Sequence, residues 1–339
     1  MESYSGARRS SRYTRPVASA YCTYFDSGYL SRGLTLIESL RRHGDESPVW
    51  ILALDEEVAG RIDALDLPGV RLVGISAIEA MFPELPGLKA QRTRMEYYFT
   101  MTPLLIQYVM AAAPGSDVAY LDADLCYFAD PSLVWSAMGG GSIGIIEHRY
   151  QPAFAKRLAK YGTYNVGWVG FRDDARGRAC LRWWGERTVE WCSDTPSEGR
   201  YADQGYLDWF PRDFEGVTVL PHVGMDAAPW NSARYTWTSA DDRVAVDGEP
   251  LVFFHAHGVR RVGHWWVTAQ LQYRAPMGRV LRDRVYEPYV RGLERWEARI
   301  PAPPRTAPRG TGLRGLAFRI TKTMLNAVSI LTGNAVRAA

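Results

Sequence analysis

Two aspartates one residue apart, Asp122 and Asp124, directly follow a short apolar run over residues 117–121. The run comes after a Pro-Gly break, so it is predicted to be a buried strand. Side chains alternate along an extended chain, so both carboxylates are expected to point the same way. Two ionised carboxylates this close repel each other and are costly to desolvate, and a cation such as Mg²⁺ or Mn²⁺ removes that cost.

An isolated Asp-x-Asp is more often a solvated strand end or a turn than a metal site. Here the pair stands between two apolar runs and is followed by Asp130-Pro131. The carboxyl ends of strands also form the edge of an open α/β sheet at which ligands bind. This context favours a metal site that faces the phosphates of a substrate.

The composition is that of a globular protein with its own core, because 47% of the 339 residues are hydrophobic and 23% are charged. The formal net charge is only +3, which gives no general case for a nucleic-acid partner. Four cysteines without a Cys-x-x-Cys pair are typical of reduced thiols in a cytoplasmic protein. Residues 1–16 are polar and arginine-rich, which predicts a flexible arm and not a secretory signal.

The first part of the chain alternates between strand-like and helix-like patterns. Strands are predicted over 17–25, 48–54 and 70–75, with helices over 29–43 and 55–65 between them. This order predicts an α/β fold with a mostly parallel central sheet flanked by helices. The first turn carries no Gly-x-Gly-x-x-Gly and the chain has no Gly-x-x-x-x-Gly-Lys loop, so neither of those phosphate-binding motifs is expected.

A basic cluster of Lys89, Arg92 and Arg94 closes the loop-like segment 76–92, just before a predicted helix over 94–113. One interpretation is a solvated basic face. The other is charge neutralisation of a diphosphate that approaches the metal.

Further polar residues stand at the ends of later predicted elements. Asn165 lies at the start of a strand over 164–171, and Asp203-Gln204 open a helix. An apolar run ends in His255 and His257, which share one face of a strand, so geometry alone does not choose between them as metal ligands.

The last part of the chain, residues 276–339, is predicted to be a helical extension. A Pro-rich linker over 301–308 precedes an amphipathic helix over 312–336 that carries Arg314, Arg319 and Lys322 among its apolar residues. Such a helix can lie in a membrane interface. It can equally pack on the catalytic domain or in an oligomer contact.

Five motifs stand in a fixed order along residues 17–270: Tyr120-x-Asp122-x-Asp124 with Asp130, then Asn165-x-Gly167, Asp203-Gln204, Trp230-Asn231 and His255-x-x-Gly258. In this order the chain resembles the GT-A nucleotide-sugar glycosyltransferases, and within them bacterial sugar transferases of the glycosyltransferase family 8 type. The resemblance implies a GT-A domain over residues 17–275. Two features of the family are missing: an Arg within the segment that reads Tyr97-Tyr98-Phe99 here, and the final Lys-Pro-Trp.

The resemblance also implies the roles of the site residues. Asp122, Asp124 and His255 would hold Mn²⁺ or Mg²⁺ on the diphosphate of a nucleotide-sugar donor. The nucleotide would lie near Thr23, Tyr24 and Asp26, with the basic cluster near its diphosphate. The catalytic group facing the donor sugar would be Asn165, Asp203 and Gln204.

The implied reaction is transfer of a hexose, from a UDP-sugar, to a glycan, glycolipid or lipid-linked envelope acceptor with retention of configuration. Residues expected on the acceptor side are His148, Arg149, Trp168, Trp230 and Trp265. The implied location is the cytoplasm, with peripheral contact at the inner membrane face. Two alternatives stay open: a sugar-nucleotide pyrophosphorylase, and a non-catalytic sugar-binding protein on the same fold.

Overall fold

The computed structural model describes residues 19–300 and 313–339 of the chain. The predicted flexible arm over residues 1–16 and the Pro-rich linker over 301–308 lie outside the described residues.

Strands account for the framework of the described region. In chain order they are β1 (Ser19–Phe25), β2 (Val49–Ala53), β3 (Val70–Gly74), β4 (Asp117–Leu121), β5 (Leu125–Tyr127), β6 (Ile143–Glu147), β7 (Tyr164–Phe171), β8 (Val217–Val219), β9 (Trp237–Ala240), β10 (Arg243–Val246), β11 (Glu249–Pro250), β12 (Phe253–His255), β13 (Arg260–Val262), β14 (Trp265–Val267) and β15 (Ala335–Arg337).

Helices connect and cover these strands. They are α1 (Leu30–Arg42), α2 (Glu56–Leu65), α3 (Ile75–Met81), α4 (Leu85–Lys89), α5 (Arg94–Ala112), α6 (Ser132–Ala137), α7 (Leu158–Tyr161), α8 (Ala175–Glu190), α9 (Phe210–Asp213), α10 (Glu287–Arg299) and α11 (Leu313–Leu331). Short 3-10 turns cover Pro152–Arg157 and Gln204–Trp209, and a π-helical turn over Leu281–Tyr286 leads into α10.

The central sheet confirms the predicted α/β architecture. In the described part of the chain it has seven strands in the order β3-β2-β1-β4-β7-β6-β8, and β7 alone runs antiparallel to both of its neighbours. The crossovers between β1, β2 and β3 are α1 and α2, as a parallel sheet requires. The carboxyl ends of β1 and β4 therefore open on the same edge.

The apolar run of β4 is continuous because helices cover both faces of the sheet. Val118 and Tyr120 belong to the core on the α5 and α8 side, whereas Ala119 and Leu121 belong to the core on the α1 side. All four side chains are at most 1% exposed. The helix α5 begins with a capping box, in which Thr93 accepts from the Glu96 backbone and the Glu96 side chain accepts from Thr93.

The C-terminal part packs back onto the first helix of the domain. The carboxylate of Glu38 in α1 accepts hydrogen bonds from Arg295 Nη2 at 2.7 Å and Trp296 Nε1 at 2.9 Å in α10. Val336 in β15 pairs with Trp266 in β14 and is only 5% exposed. The predicted helical extension is thus a helical and strand-forming segment that completes a small three-stranded sheet.

Three predictions about local structure were incomplete. The loop-like segment 76–92 contains α3 and α4, which bury Ile78 and Leu85 in the core beside α5. The predicted helix over 312–336 ends at Leu331, because Gly333 takes a positive φ of 73° and turns the chain into β15. The sheet formed by β9, β10 and β11 was not predicted, since its strands are short and largely exposed.

Candidate active site

The acidic pair lies where β4 leaves the central sheet. Asp122 N donates to Gly167 O of β7 at 2.9 Å, and a turn closed by Leu125 N and Asp122 O places Asp124 in front of the sheet. The Tyr120 hydroxyl donates to Asp122 Oδ1 at 2.9 Å. Both carboxylates therefore face the opening at the carboxyl ends of β1 and β4, as the sequence predicts.

His255 reaches the pair because β12 runs antiparallel to β5, with His255 directly opposite Leu125. The backbone N of Ala256 donates to Asp124 O at 2.9 Å, which fixes the two segments side by side. Gly167 leaves room for the imidazole, because a Cβ at this position would lie 2.8 Å from His255 Cε1. Only glycine allows this approach without displacing the ring.

Three carboxylates surround the buried imidazole. His255 Nε2 lies 3.1 Å from Asp124 Oδ1 and 3.6 Å from Asp122 Oδ2. On the other side of the ring, Nδ1 lies 3.3 Å from Asp226 Oδ1. Asp226 is 1% exposed, and its Oδ2 finds no hydrogen-bond partner among the described residues.

These contacts shift the pKa values of Asp122 and Asp124 in opposite directions. Burial raises the pKa of Asp122 to about 6, and the like charge of Asp124 acts in the same direction. Burial also acts on Asp124, but the charge and hydrogen bond of His255 outweigh it and lower the pKa of Asp124 to about 2. The carboxylates of Asp124 and Asp226 likewise outweigh burial and raise the pKa of His255. A positive charge is thus stabilised between the carboxylates, and a divalent cation supplies such a charge.

The donor set fits a divalent metal ion. Ligand atoms of Asp124, His255 and His257 lie within 4.8 Å of one another, and Asp122 borders the same space. Carboxylate oxygens with imidazole nitrogens suit Mn²⁺, and carboxylate oxygens alone suit Mg²⁺. The Nδ1 contact with Asp226 leaves Nε2 to face the metal, which is the usual arrangement of a metal-bound histidine and its supporting carboxylate. His257 enlarges the predicted set, while His255 is the buried and oriented member of the two.

A second polar network lines the same cleft. Asn165 Nδ2 contacts His148 Nε2 at 3.2 Å and donates to Gln204 Oε1 at 3.3 Å. The Asn165 Oδ1 accepts from Gly167 N at 2.7 Å, and Gln204 Nε2 donates to Tyr161 O at 2.8 Å. These bonds fix the orientation of both amides.

His148 is a neutral member of this network. Burial lowers its pKa to about 3, and its Nδ1 lies 3.1 Å from Thr163 O. Because Asn165 donates to Nε2, the proton of the neutral ring is assigned to Nδ1, which then donates to that carbonyl. The ring therefore holds Asn165 in place without carrying charge.

Asp203 is a buried carboxyl group at the floor of the cleft. Its side chain lines the cleft, it is 1% exposed, and Oδ2 has no hydrogen-bond partner in the described part of the chain. Burial, together with the charge of Asp122, raises its pKa to about 7. A buried carboxyl with spare hydrogen-bonding capacity is suited to meet a polar group of a ligand.

The cleft has a volume of about 570 Å³ and brings most of the predicted site residues together. Of the predicted residues it is lined by Tyr24, Asp26, Asp122, Asp124, Asn165, Asp203, Gln204 and His255, and on the expected acceptor side by His148 and Trp230.

The basic cluster is not brought together at the cleft. Arg92 donates to Thr188 O at 2.8 Å and Val189 O at 2.5 Å, so it ties the start of α5 to the end of α8. Lys89 is exposed and lies 3.4 Å from Glu79. Arg94 alone reaches the rim, where it lies 3.4 Å from Asp26. The residues were adjacent in sequence, but the turn into α5 points their side chains in different directions.

Other predicted residues lie away from the cleft lining. Thr23 is buried within β1, and Trp168 is a core residue that packs edge-on against Trp135. Arg149 donates to the backbone carbonyls of His222 and Met225, so it braces a loop. Trp265 belongs to β14 in the C-terminal sheet.

Sequence reasoning missed two charged residues of the site. Arg157 lines the cleft and lies over the ring of Tyr273 at 5.0 Å, and no motif in its segment marks it as a site residue. Asp226 was overlooked within Met225-Asp226-Ala227, where no periodic pattern marks it. Its positive φ of 57°, which Asp tolerates better than most residues, is visible only in the structure.

Comparisons with known proteins agree with this fold. No protein-family model matches the chain. The chain is 34% identical over 254 residues to the uncharacterized protein YfnF of Bacillus subtilis (strain 168), a match that covers 73% of this chain and 83% of YfnF. It is 27% identical over 279 residues to the uncharacterized protein YfnD of the same organism, covering 81% of this chain and 89% of YfnD.

Solved structures with the same fold are glycosyltransferases. The galactosyltransferase LgtC, in complex with donor and acceptor sugar analogues, matches with a TM-score of 0.50 at 17% identity over 86% of this chain and 98% of LgtC. The apo structure of the bifunctional glycosyltransferase WbbM matches with a TM-score of 0.50 at 14% identity over 84% of this chain and 51% of WbbM. The chain therefore belongs to the family of Bacillus subtilis YfnF and has the GT-A glycosyltransferase fold.

Proposed function

We propose that this protein is a metal-dependent glycosyltransferase that moves a sugar from a nucleotide-diphospho-sugar, a UDP-sugar, to a glycan or lipid-linked acceptor. The observation that carries the proposal is one cleft in which Asp122, Asp124 and His255 face the buried carboxyl of Asp203. Metal ligands and a group for the donor sugar are both needed for transfer, and here they line one space.

Asp122, Asp124 and His255 would hold Mn²⁺ or Mg²⁺, with His257 beside them. When bound, the ion supplies electrostatic stabilisation of the charge that develops on the departing nucleoside diphosphate. Asp226 orients the His255 ring, and Gly167 makes room for it. With this arrangement no protein acid is needed to protonate the leaving group.

The nucleotide end of the donor is assigned to the mouth of the cleft near β1. Tyr24, Asp26 and Tyr98 line this part, and Arg94 stands at its rim. A ribose offers hydroxyl donors to Asp26, and an aromatic ring offers a face for a base to stack on. Arg157, which the sequence did not single out, takes the role of a diphosphate contact that was first expected of Lys89 and Arg92.

The sugar end is assigned to Asn165, Asp203 and Gln204. The two amides are held rigid by the hydrogen bonds already described, so they can orient sugar hydroxyls without first losing conformational freedom. Asp203 stands ready to accept from a sugar hydroxyl or to stabilise positive charge near the anomeric carbon. We infer that attack and departure share one face of the sugar, so that configuration is retained.

The acceptor is assigned to the aromatic side of the cleft. Trp230 packs edge-on against His255 at 5.0 Å between ring centres, and Tyr273 closes the same wall. Rings of this kind stack on the apolar faces of sugars. The complex of LgtC with an acceptor sugar analogue supports an acceptor of the glycan class.

Peripheral contact with the inner face of the cytoplasmic membrane is part of the proposal. Among the residues described, no helix is both apolar and long enough to pass through a bilayer. The helix α11 nevertheless exposes Met324, Val328 and Leu331 by 64%, 43% and 85%, one turn apart on one side, while Lys322 is exposed on the other side of the same helix. An exposed apolar stripe on a helix suits a membrane interface.

The experiment is donor turnover in Mn²⁺ with a panel of UDP-, GDP- and other nucleotide-sugars, preceded by a thermal-shift screen of the same compounds. Release of UDP with a retained sugar product is the expected result. Consumption of diphosphate and release of nucleoside triphosphate would identify a pyrophosphorylase instead. Sugar binding without any turnover, independent of metal, would identify a non-catalytic binding protein.

A further inference from the structure

A second pocket adjoins the cleft on the side of the C-terminal segment. It has a volume of about 510 Å³ and lies between α1, the turn before β13 and α11. Tyr29 lines both this pocket and the active-site cleft, so one side chain separates the two spaces. The proposed glycosyl transfer assigns no role to this pocket.

The pocket is unusual in its charge. Arg32, Arg260 and Lys322 line it, and no Asp or Glu stands among its described lining residues. The other polar side chains in the lining, Thr321 and Gln272, are neutral hydrogen-bonding groups. Buried or half-buried cations are normally paired with anions, so the buried Arg32 and the half-buried Arg260, with no carboxylate in the described lining, indicate a place for an anionic ligand. The exposed Lys322 adds a third positive charge.

The two guanidinium groups are held by neutral partners. Arg32, which is 4% exposed, donates to Val259 O at 2.6 Å and Gly28 O at 3.3 Å. Arg260 donates to Asn326 Oδ1 at 2.5 Å and Gly258 O at 3.3 Å. These oxygens orient the guanidinium planes, and Arg32 also lies over the Tyr29 ring at 4.6 Å, but none of these partners carries a negative charge.

The Arg260 side chain also has an unused donor. Its Nε is buried and makes no hydrogen bond within the described residues. Burial lowers the pKa of Arg260, with no acidic group nearby to oppose the effect. A ligand with several acceptor oxygens would satisfy this donor and the charge together.

We propose that this basic pocket binds the phosphate group of a phosphate-bearing acceptor. Phosphate matches the planar donor arrays of Arg32 and Arg260, and Lys322 adds a mobile point charge at the entrance. The assignment to the acceptor rests on the proposed function, in which the donor diphosphate belongs beside Asp122 and Asp124. With the phosphate behind Tyr29, the sugar-accepting end of the same molecule would extend past this ring into the cleft.

The exposed apolar face of α11 is relevant to whether the phosphate belongs to a lipid or to a soluble sugar phosphate. Leu325 lines the pocket, and Met324 and Val328 lie one and three residues away on the same helix. A lipid phosphate could thus place its chain along the helix while its headgroup enters the pocket. A soluble sugar phosphate would use the pocket alone.

The test is a calorimetric titration of inorganic phosphate into the full-length protein at low salt, with UDP and Mn²⁺ saturating. Wild type is compared with Arg260→Gln, Lys322→Gln and the control Arg243→Gln, which changes an exposed arginine of β10 far from both pockets in sequence. Each pocket variant is expected to weaken phosphate binding about tenfold, as loss of one charged hydrogen bond predicts. The control should bind as wild type does. Lys322→Gln keeps the test decisive if Arg260→Gln fails to fold, because Lys322 is exposed.

Unchanged phosphate binding in Lys322→Gln and Arg260→Gln would overturn the proposal. So would phosphate binding that appears only when the titration is repeated without UDP, because the anion would then occupy the donor cleft. UDP binding in Mn²⁺, measured on the same samples, reports on the proposed glycosyl transfer independently of the phosphate result. Titrations with dodecyl phosphate and glucose 1-phosphate then distinguish a lipid phosphate from a soluble sugar phosphate. The ligand class is that of the probe whose affinity falls more in Lys322→Gln and Arg260→Gln.

Discussion

The candidate metal site depends on side chains that do not themselves face the metal position. Asp226 holds Nδ1 of His255, and Gly167 gives the ring its space. The Tyr120 hydroxyl fixes one oxygen of Asp122. These contacts decide which atoms of the Asp-x-Asp pair and the histidine converge, and three predictions follow at this scale.

The change Asp124→Asn is expected to lower both Mn²⁺ affinity and donor turnover more than about 100-fold, because it removes the most acidic candidate ligand without altering shape. Backbone contacts of residue 124 remain, so the melting temperature should change little. Calorimetric Mn²⁺ titration and UDP-release assays measure the effect, with Asp213→Asn on the exposed end of α9 as the control. Wild-type turnover that persists in a metal chelator would contradict the metal assignment.

The change Asp226→Asn is expected to weaken Mn²⁺ binding by about 10-fold, because a carboxylate behind a metal-bound histidine raises the basicity of the ring. Asparagine can keep both the contact and the positive φ of this residue, so the fold is spared. His255→Ala should be more damaging than His257→Ala in the same titration. If His257→Ala has the larger effect, the two histidines exchange roles.

The change Asp203→Asn is expected to alter the pH dependence of stability. The folded pKa of about 7 lies above the ordinary value of about 3.9, so folding takes up a proton between these values. The cost of the carboxylate is fully present above pH 7 and disappears as the pH falls toward 4. Three pKa units correspond to about 4 kcal/mol, an upper value for the gain of the variant at pH 8.

Urea unfolding in a chelator at pH 8 and pH 5 measures this gain, and it should be much smaller at pH 5. An equal effect of Asp203→Asn at both values would show that the carboxyl is ionised throughout. The same variant is expected to lower turnover more than donor affinity.

At the scale of elements, α1 is the helix on which the C-terminal segment packs. Its outer face presents Glu38 to Arg295 and Trp296 of α10, while Ser39 Oγ accepts from Tyr127 N of β5 at 3.0 Å. One turn of helix therefore connects β5, which pairs with the strand of His255, to the C-terminal extension. Close packing of α10 on α1 is required for this.

The change Gly292→Ala in α10 is expected to destabilise the protein by about 1 kcal/mol or more, as overpacking does. A Cβ at this position would lie 2.7 Å from Thr35 Cγ2 of α1. The matched control is Gly60→Ala in α2, where a Cβ meets no atom within 4 Å. It should stabilise the protein by about 0.5–1 kcal/mol through reduced chain entropy. The unfolding midpoints of the two variants are expected to shift in opposite directions. A stabilising Gly292→Ala would show that α10 and α1 are less tightly packed.

At the scale of the whole molecule, the C-terminal segment has two parts: β15 is buried in a sheet, whereas one face of α11 is exposed. Ala335 and Val336 are 6% and 5% exposed in the sheet of β13, β14 and β15. Truncation after Pro308 would remove this strand together with α11, so it would disturb the fold and could not isolate membrane binding. The exposed face of α11 has to be changed by substitution.

The triple variant Met324→Gln, Val328→Gln and Leu331→Gln is expected to lose most of its binding to phosphatidylglycerol vesicles, because it removes apolar area that only a bilayer would bury. Its melting temperature and UDP binding should stay close to those of wild type. Sedimentation with vesicles at low and high salt measures the effect, since the contribution of Lys322 is screened by salt. Equal sedimentation of wild type and variant would remove α11 as the anchor.

Local patterns predicted the framework and the position of the acidic pair at a strand end, because both depend on neighbours in sequence. The alternation of strands and helices up to residue 75 follows from the periodicity of apolar residues, and it is found as β1 to β3 with α1 and α2 between them. Asp122 and Asp124 stand at the end of a strand that the apolar run already marked. The four cysteines are free and buried.

The sequence by itself thus determined the α/β framework, the acidic strand end, and the order of motifs that places Asn165, Asp203 and His255 in one cleft. Only the tertiary structure decided which charges face that cleft. It sent Arg92 to backbone carbonyls of α8, brought Arg157 into the lining of the cleft, and placed Asp226 behind His255, outside that lining. The physical reason is that periodicity reports burial, whereas the direction of a charged side chain depends on where turns place it relative to distant partners.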